Sequence, residues 1–369
     1  MATSSERIPT TMHAWRKHRG NPEPQWDEVP VPACPPTGLL IKILAAGVCH
    51  SDVGVLARDG HAPHYQEKFV VGHEGCGDIV ATGANISNFK IGDRVAINPV
   101  AGCGESDCPD CSNNFMQLCQ RGLHHGLGQD GSFADYIAIS TRSAVKVPSE
   151  AISSAAAAVS TDAVMTTHHA IIRRGKVKRE DTVFLFGLGG LGFNALQILL
   201  HVGCKVYVSE TRQEPLEEAV RLGLPKECVV PIGTDVKVFV QANGLEDAID
   251  VVVDIVGLQQ TFSDAQVIVK RGGKIIPVGL LAYELKVNHI LCIIKAITVL
   301  YTFGGHSADI AEGMDLMCQG HLTPRVEMAP VKDLPRVLKD LHEGRVKSRM
   351  VLIPEGVADG GGGQSMSII

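Results

Sequence analysis

Apolar residues in roughly the first 160 positions come in short runs, separated by Gly, Pro, Asn and Asp. Residues 39–45, 77–82 and 93–97 are such runs, with turn-forming pairs such as Gly92-Asp93 between them. This spacing predicts short β-strands joined by tight turns. Near Ala155 the pattern changes. An Ala-rich helical stretch leads to a strand over 182–186, a glycine-rich turn, a helix over 193–202 and a second strand over 205–208. Further apolar strands are predicted over 248–255, 273–278 and 297–303, with helical stretches between them. Strands alternating with helices predict a parallel sheet covered on both faces, the doubly wound arrangement. A helix over 308–319 and a last strand over 349–353 follow. The tail from Gly356, with four consecutive glycines at 360–363, reads as disordered. No internal repeat is visible.

Composition narrows the class. At 369 residues the chain is too long for one ordinary core and suits two domains. Apolar residues at 45% and charged residues at 20% place it among globular rather than disordered chains. The net charge of -6 comes without any Lys/Arg block, which argues against nucleic acid or an anionic membrane as partner. The first dozen residues lack the apolar stretch of a secretory signal, and the longest apolar run, 290–303, is broken by Lys295 and too short to span a bilayer. The expected address is cytoplasmic. An odd count of eleven cysteines then points to metal or thiol chemistry rather than a disulfide framework.

Candidate chemistry sits in three places. GLGGLG at 187–192 lies between a predicted strand and a predicted helix, the context that makes a GxGxxG match informative. Gly187 would permit the tight turn, Gly189 the approach of backbone to a pyrophosphate, and Gly192 close helix–sheet packing, with Gly190 and Leu191 completing the loop. Glu210, at the end of the next strand, would accept hydrogen bonds from the adenosine ribose and repel a 2′-phosphate, favouring NAD over NADP. Arg212 nearby works the other way, since it could pair with a phosphate. Second, Cys103, Cys108, Cys111 and Cys119 put four thiols in a loop rich in Gly, Pro, Asp and Asn. Four thiolates close the tetrahedral shell of a structural zinc. Third, GVCHSD at 47–52 and GHEGCG at 72–77 offer a thiol, Cys49, and an imidazole, His73, that Asp52 could orient by accepting its other N–H. Taken singly, Cys49 reads equally as a small buried hydrophobe and His73 as a satisfied core histidine.

With these motifs in this order, residues 12 to about 354 resemble the zinc-containing medium-chain alcohol dehydrogenases. GVCHSD and GHEGCGDIVATG match the family's two zinc-ligand motifs, the four cysteines its structural lobe, GLGGLG its cofactor turn and GRVKSRMVLIP its closing strand. The resemblance implies an α/β chain: an N-terminal GroES-like β-barrel catalytic domain (1–162 and 306–369) and an inserted Rossmann doubly wound parallel-sheet cofactor domain (163–305). It implies two zinc ions, a small alcohol, aldehyde or ketone as substrate, and a homodimer or homotetramer. Cys49 and His73 are similar to the first two catalytic-zinc ligands, and Ser51 to the hydroxyl that takes the substrate's proton. Glu74 resembles the carboxylate beside the metal, while His50 and Arg349 fall where relatives contact the cofactor pyrophosphate. Where many members carry a third cysteine ligand, this chain has Asp162. A carboxylate is a legitimate zinc ligand with the same charge as a thiolate. Its alternative is to cap the following helical turn. Gly54 stands where relatives place a proton-relaying histidine, and four residues rather than the usual two separate the lobe's first cysteines, an insertion a loop absorbs. A zinc-free enone or quinone reductase on the same scaffold, and a cofactor-binding protein without turnover, are the competing readings.

Overall fold

The computed structural model describes residues 7–60 and 64–357. The glycine-rich tail over 358–369, expected to be disordered, lies outside the described residues. Contacts divide the chain into two units: 1–162 with 306–318 and 326–369, and 163–305 with 319–325.

In the first unit, strands β1 (Thr11–His18), β2 (Asn21–Pro30) and β4 (Lys68–Val70) form a three-stranded antiparallel sheet in the order β2-β1-β4. The larger sheet runs β14 (Val326–Pro330), β15 (Arg349–Ile353), β3 (Gly38–Val48), β5 (Glu74–Thr82), β6 (Arg94–Ile97) and β8 (Ala144–Lys146), with β7 (Tyr136–Ser140) paired to β3. Successive side chains of these strands point to opposite faces, and along β3 both faces are largely buried. The inward ones, Leu39, Ile41, Ile43, Ile79, Val95, Ile97 and Ile137, form one core with Phe69, Phe133 and Leu352. Strand β15 thus pairs with β3, setting Met350 opposite Val48 and Leu352 opposite Ala46, just over 300 positions earlier in the chain.

The second unit is a five-stranded parallel sheet in the order β10 (Lys205–Ser209), β9 (Thr182–Phe186), β11 (Ile249–Asp254), β12 (Val269–Pro277) and β13 (Thr298–Val299). Strand order reverses between β10 and β11 on either side of β9, so the switch point lies at the carboxyl end of β9. The expected strand over 297–303 is only the two-residue β13. The apolar residues before it form the helix His289–Lys295, in one of the expected helical stretches, with Ile290, Ile293 and Ile294 exposed.

A single helical stretch covers 154–174, opened by Ser153, whose hydroxyl accepts the Ala156 N–H at 3.2 Å. Such a cap is worth about 1 kcal/mol. Two segments, Ser160–Val164 and His169–Arg174, are π-helical. Asp162 thus lies inside a helix and caps no helix start. Among the described residues no helix is long and apolar enough to cross a membrane, and no disulfide forms.

Candidate active site and metal centres

Cys49 follows β3 directly and precedes the helix His50–Ala57. Its backbone N–H donates to Asp52 Oδ2 at 2.8 Å, and its Sγ lies 3.5 Å from Ser51 Oγ. The other oxygen of Asp52 is 2.9 Å from His73 Nδ1. With Nδ1–H donating to Asp52, a neutral His73 would present Nε2 to a metal, and Nε2 lies 3.7 Å from Asp162 Oδ2. Glu74 opens β5 and is fully buried, as is Asp52. Gly47 makes room for it: a Cβ there would sit 2.1 Å from Glu74 Oε2. The ligand atoms of Cys49, His73, Glu74 and Asp162 all lie within 4.8 Å of one another.

Arg349, at the start of β15, is buried and reaches both acids. Its guanidinium donates to both oxygens of Glu74, through Nε at 3.1 Å, and through Nη2 to Asp162 Oδ2. The resemblance put Arg349 at the cofactor pyrophosphate; here its described partners are these carboxylates, 275 and 187 positions away in sequence. Nothing in the local sequence announces that pairing. Burial alone would lower the Arg349 pKa, but the charges of Cys49, Glu74 and Asp162 carry it well above its ordinary value. Burial pushes Glu74 up to about 8, against the pull of Arg349. For His73 the carboxylates of Asp52 and Asp162 outweigh burial, so its pKa rises. His50 is exposed, and its pKa is lowered by partial burial of the ring and by Arg349.

The donor chemistry fits a zinc ion. One thiolate, one imidazole and one or two carboxylates are accepted zinc donors. With Arg349 offsetting one of the two acids it contacts, Cys49 and the other acid would match a dication. His168 and His169, the other donors on Asp162's helix, belong to the second unit and stand outside this cluster.

The four cysteines also converge. Cys103 and Cys111 sulfurs are 3.8 Å apart, those of Cys108 and Cys119 3.6 Å, and all four lie within 4.8 Å of one another. Pro109 starts the short helix that presents Cys111, suiting its fixed φ. Against burial, which raises it, the Cys103 and Arg121 N–H groups and the neighbouring thiols bring the Cys119 thiol down to about 7. The same sharing of protons pushes Cys103 up to about 12, so one thiol of the group ionises ahead of its neighbours. Thiolate character of that kind is what a zinc ligand requires.

In the second unit, Gly187 leaves β9 at φ +88, a conformation that favours glycine. A Cβ at Gly192 would meet the Gly187 carbonyl at 2.2 Å, whereas one at Gly189 would meet nothing within 4 Å. Gly192 is therefore the packing glycine, and the open side at Gly189 suits a phosphate. Gly190 and Leu191 lead into the helix Gly192–Val202. Glu210 is tied to this loop: its Oε2 accepts the Leu188 N–H at 2.9 Å, and both its oxygens accept from the Arg212 guanidinium, at 3.1 and 3.0 Å. Partial burial opposes ionisation of Glu210, yet Arg212 and the backbone donors keep its pKa below the ordinary value. Sequence reasoning missed the Leu188 contact and treated Arg212 as a rival of Glu210, whereas the two form an ion pair.

Two family models match the chain: the alcohol dehydrogenase GroES-like domain over residues 35–149, and zinc-binding dehydrogenase over 190–319. Alcohol dehydrogenase 1 of Emericella nidulans is 31% identical over 339 residues, covering 89% of this chain and 94% of the relative. An alcohol dehydrogenase of Geobacillus stearothermophilus is 30% identical, covering 85% and 91%. Among solved structures, acetophenone reductase from Geotrichum candidum in complex with NAD matches with a TM-score of 0.83 at 31% identity, covering 94% of this chain and 98% of that one. The alcohol dehydrogenase of Aeropyrum pernix matches with a TM-score of 0.82 at 28% identity, covering 93% and 100%.

Proposed function

Because this chain belongs to the zinc-containing medium-chain alcohol dehydrogenases, we propose that it interconverts an alcohol and its aldehyde or ketone, with Cys49, His73 and Asp162 holding the catalytic zinc. The observation that carries the reading is the convergence of these donors with Glu74 in a largely buried setting. Zinc supplies Lewis acidity toward the substrate oxygen, and a nicotinamide dinucleotide supplies the hydride acceptor or donor.

The chain's own residues do the rest. Asp52 holds the His73 ring with Nε2 free and fixes the backbone of Cys49. Arg349 compensates Glu74. Ser51, beside Cys49, accepts the proton released by an alcohol substrate. Gly54, one helical turn further on, offers no group to receive it, so the proton leaves Ser51 toward water, the cofactor ribose or another side chain.

Three finer assignments belong to the same proposal. The four cysteines hold a second, structural zinc. NAD is preferred over NADP, because an ionised Glu210 directly follows β10, with Arg212 softening the preference by neutralising part of its charge. The chain self-associates, since the exposed Ile290, Ile293 and Ile294 lie on the helix preceding β13, and β13 is an edge strand of its sheet.

Metal analysis combined with an alcohol-driven assay tests the reading. About two zinc ions per chain, with alcohol-dependent reduction of NAD, are expected. Zinc-free protein that reduces enones but oxidises no alcohol would overturn it; the two donor clusters argue against that outcome.

A further inference from the structure

Asp254 ends β11 and is fully buried, yet nothing above uses it. Its Oδ1 accepts the N–H groups of Val256 at 3.0 Å and Gly257 at 2.9 Å, while Oδ2 accepts the Thr261 hydroxyl at 2.8 Å. Its backbone carbonyl accepts from Val278 at 2.8 Å and Gly279 at 3.0 Å. One residue therefore ties together the turn leaving β11, the helix Gln259–Ile268 and the turn leaving β12. Burial raises its carboxyl pKa, opposed by those donors. Burying such a group is costly unless it is hydrogen-bonded, and here it is.

The packing around it leaves no slack. A Cβ at Gly257 would lie 2.0 Å from the Gly279 carbonyl oxygen, one at Gly279 would lie 2.2 Å from the Val256 carbonyl carbon, and one at Gly187 would lie 2.7 Å from Val256 Cγ2. The Ala282 N–H donates to the Gly257 carbonyl at 2.8 Å. The glycine-rich turn after β9 is thus packed against the turn after β11, which is laced to the turn after β12. All three stand at carboxyl ends of neighbouring parallel strands, where dinucleotides bind such sheets. Glu210 lies at the end of β10, on one side of β9. The β11 and β12 turns lie on the other side, along the direction a dinucleotide takes from its adenosine to its nicotinamide half.

We propose that Asp254 is a positioning residue for the nicotinamide half of the cofactor. It fixes the 255–258 and 278–282 turns that seat this half, and leaves the adenosine half to Gly187, Gly189, Gly192 and Glu210. The inference rests on the cofactor reading above, and Asp254 itself touches no cofactor in it.

The test compares two probes on the zinc-loaded protein: ADP-ribose, which lacks nicotinamide, and NADH. In Asp254→Ala, ADP-ribose affinity should stay within about twofold of wild type, while NADH affinity or kcat falls at least about tenfold. Asp254→Asn, which keeps an acceptor for the two N–H groups, should recover most of that loss. Thr261→Val removes a single donor and should show the same split on a smaller scale, which decides the question if Asp254→Ala fails to fold. Equal loss of both probes, or no split in either variant, would overturn the proposal. Wild-type protein that binds neither probe would overturn the cofactor reading itself and this inference with it.

Discussion

The Asp52 carboxylate stands 2.9 Å from His73 Nδ1, and His73 is one of the two side chains that both sequence motifs and geometry bring to the candidate zinc site. The same carboxylate accepts the Cys49 N–H at 2.8 Å, so one buried acid fixes an imidazole and a thiol-bearing backbone together. Asp52→Asn replaces one acceptor oxygen by a donor and cannot serve both partners. Outer partners of this kind are worth about 10- to 100-fold in metal affinity or activity. Asp52→Asn should therefore lower catalytic zinc occupancy or kcat by that order while the four-cysteine zinc stays. Zinc content and kcat measured on one preparation check it; unchanged values for both would remove Asp52 from the site.

Glu210 and Arg212 should act on cofactor choice as a pair. Glu210→Ala removes the ribose acceptor and releases Arg212 for a 2′-phosphate, so the NAD-to-NADP ratio of kcat/KM should fall by about tenfold or more. Arg212→Ala should shift the ratio in the opposite direction, because Glu210 then stands without its counter-charge. Ratios that do not move in either variant would leave cofactor choice to other residues.

How much of this was legible beforehand depended on the kind of signal. Strand β9 and the Gly187 turn could be read because local periodicity and glycine chemistry coincide there. The four cysteines could be read because their ligand atoms lie close in sequence. The strand expected over 297–303 shrank to Thr298–Val299: apolar residues without periodicity do not say whether they form a strand, a core element or an exposed face, and Tyr301 and Phe303 are exposed. The pairing of Arg349 with Glu74 and Asp162 could not be read at all, since registry between β15, β3 and β5 brings Arg349 to Glu74, and the packing of the 154–174 helix brings Asp162 to both. Asp254 gave no signal either. An aspartate at a strand end is common, and its burial is a tertiary fact.

His125 should make the fold acid-sensitive. It is buried, with Nδ1 3.1 Å from the Asp130 carbonyl oxygen, and Nε2 has no hydrogen-bond partner. Burial pushes its pKa from the ordinary 6.5 down to about 4. Below pH 6.5 the unfolded chain binds a proton that the folded chain refuses until about pH 4. Stability tied to this residue is therefore intact at neutral pH, falls as pH drops through that window, and levels off below it. The loss is on the order of 3 kcal/mol across the window. His125→Leu should show a shallower decline of Tm between neutral pH and pH ~4.5 than wild type. Parallel curves would show that the ring is not what titrates.

The assignment of Asp162 as the third catalytic-zinc ligand is the most exposed to test. Asp162 lies within a π-helical turn of the 154–174 helix, a feature often found at functional sites, and its carboxylate reaches toward His73 Nε2. Arg349 contacts the same carboxylate, which allows a rival reading: Asp162 is there only to neutralise a buried guanidinium. The two readings differ in what they require. A metal ligand must supply a donor atom but need not be a carboxylate, so Asp162→Cys should retain catalytic zinc with an altered rate. A pure counter-charge must supply an anion toward Arg349 and need not touch zinc. Asp162→Asn keeps the volume and removes the charge; as a ligand variant it should lose catalytic zinc or most of kcat, leaving about one zinc per chain in the four-cysteine lobe. If Asp162 only neutralises Arg349, Asp162→Asn should lower Tm and keep about two zinc ions. Removing the lobe's zinc through Cys111→Ser supplies the complementary control, because the zinc that remains there must be the one Asp162 holds. Full zinc content in Asp162→Asn would end the ligand assignment.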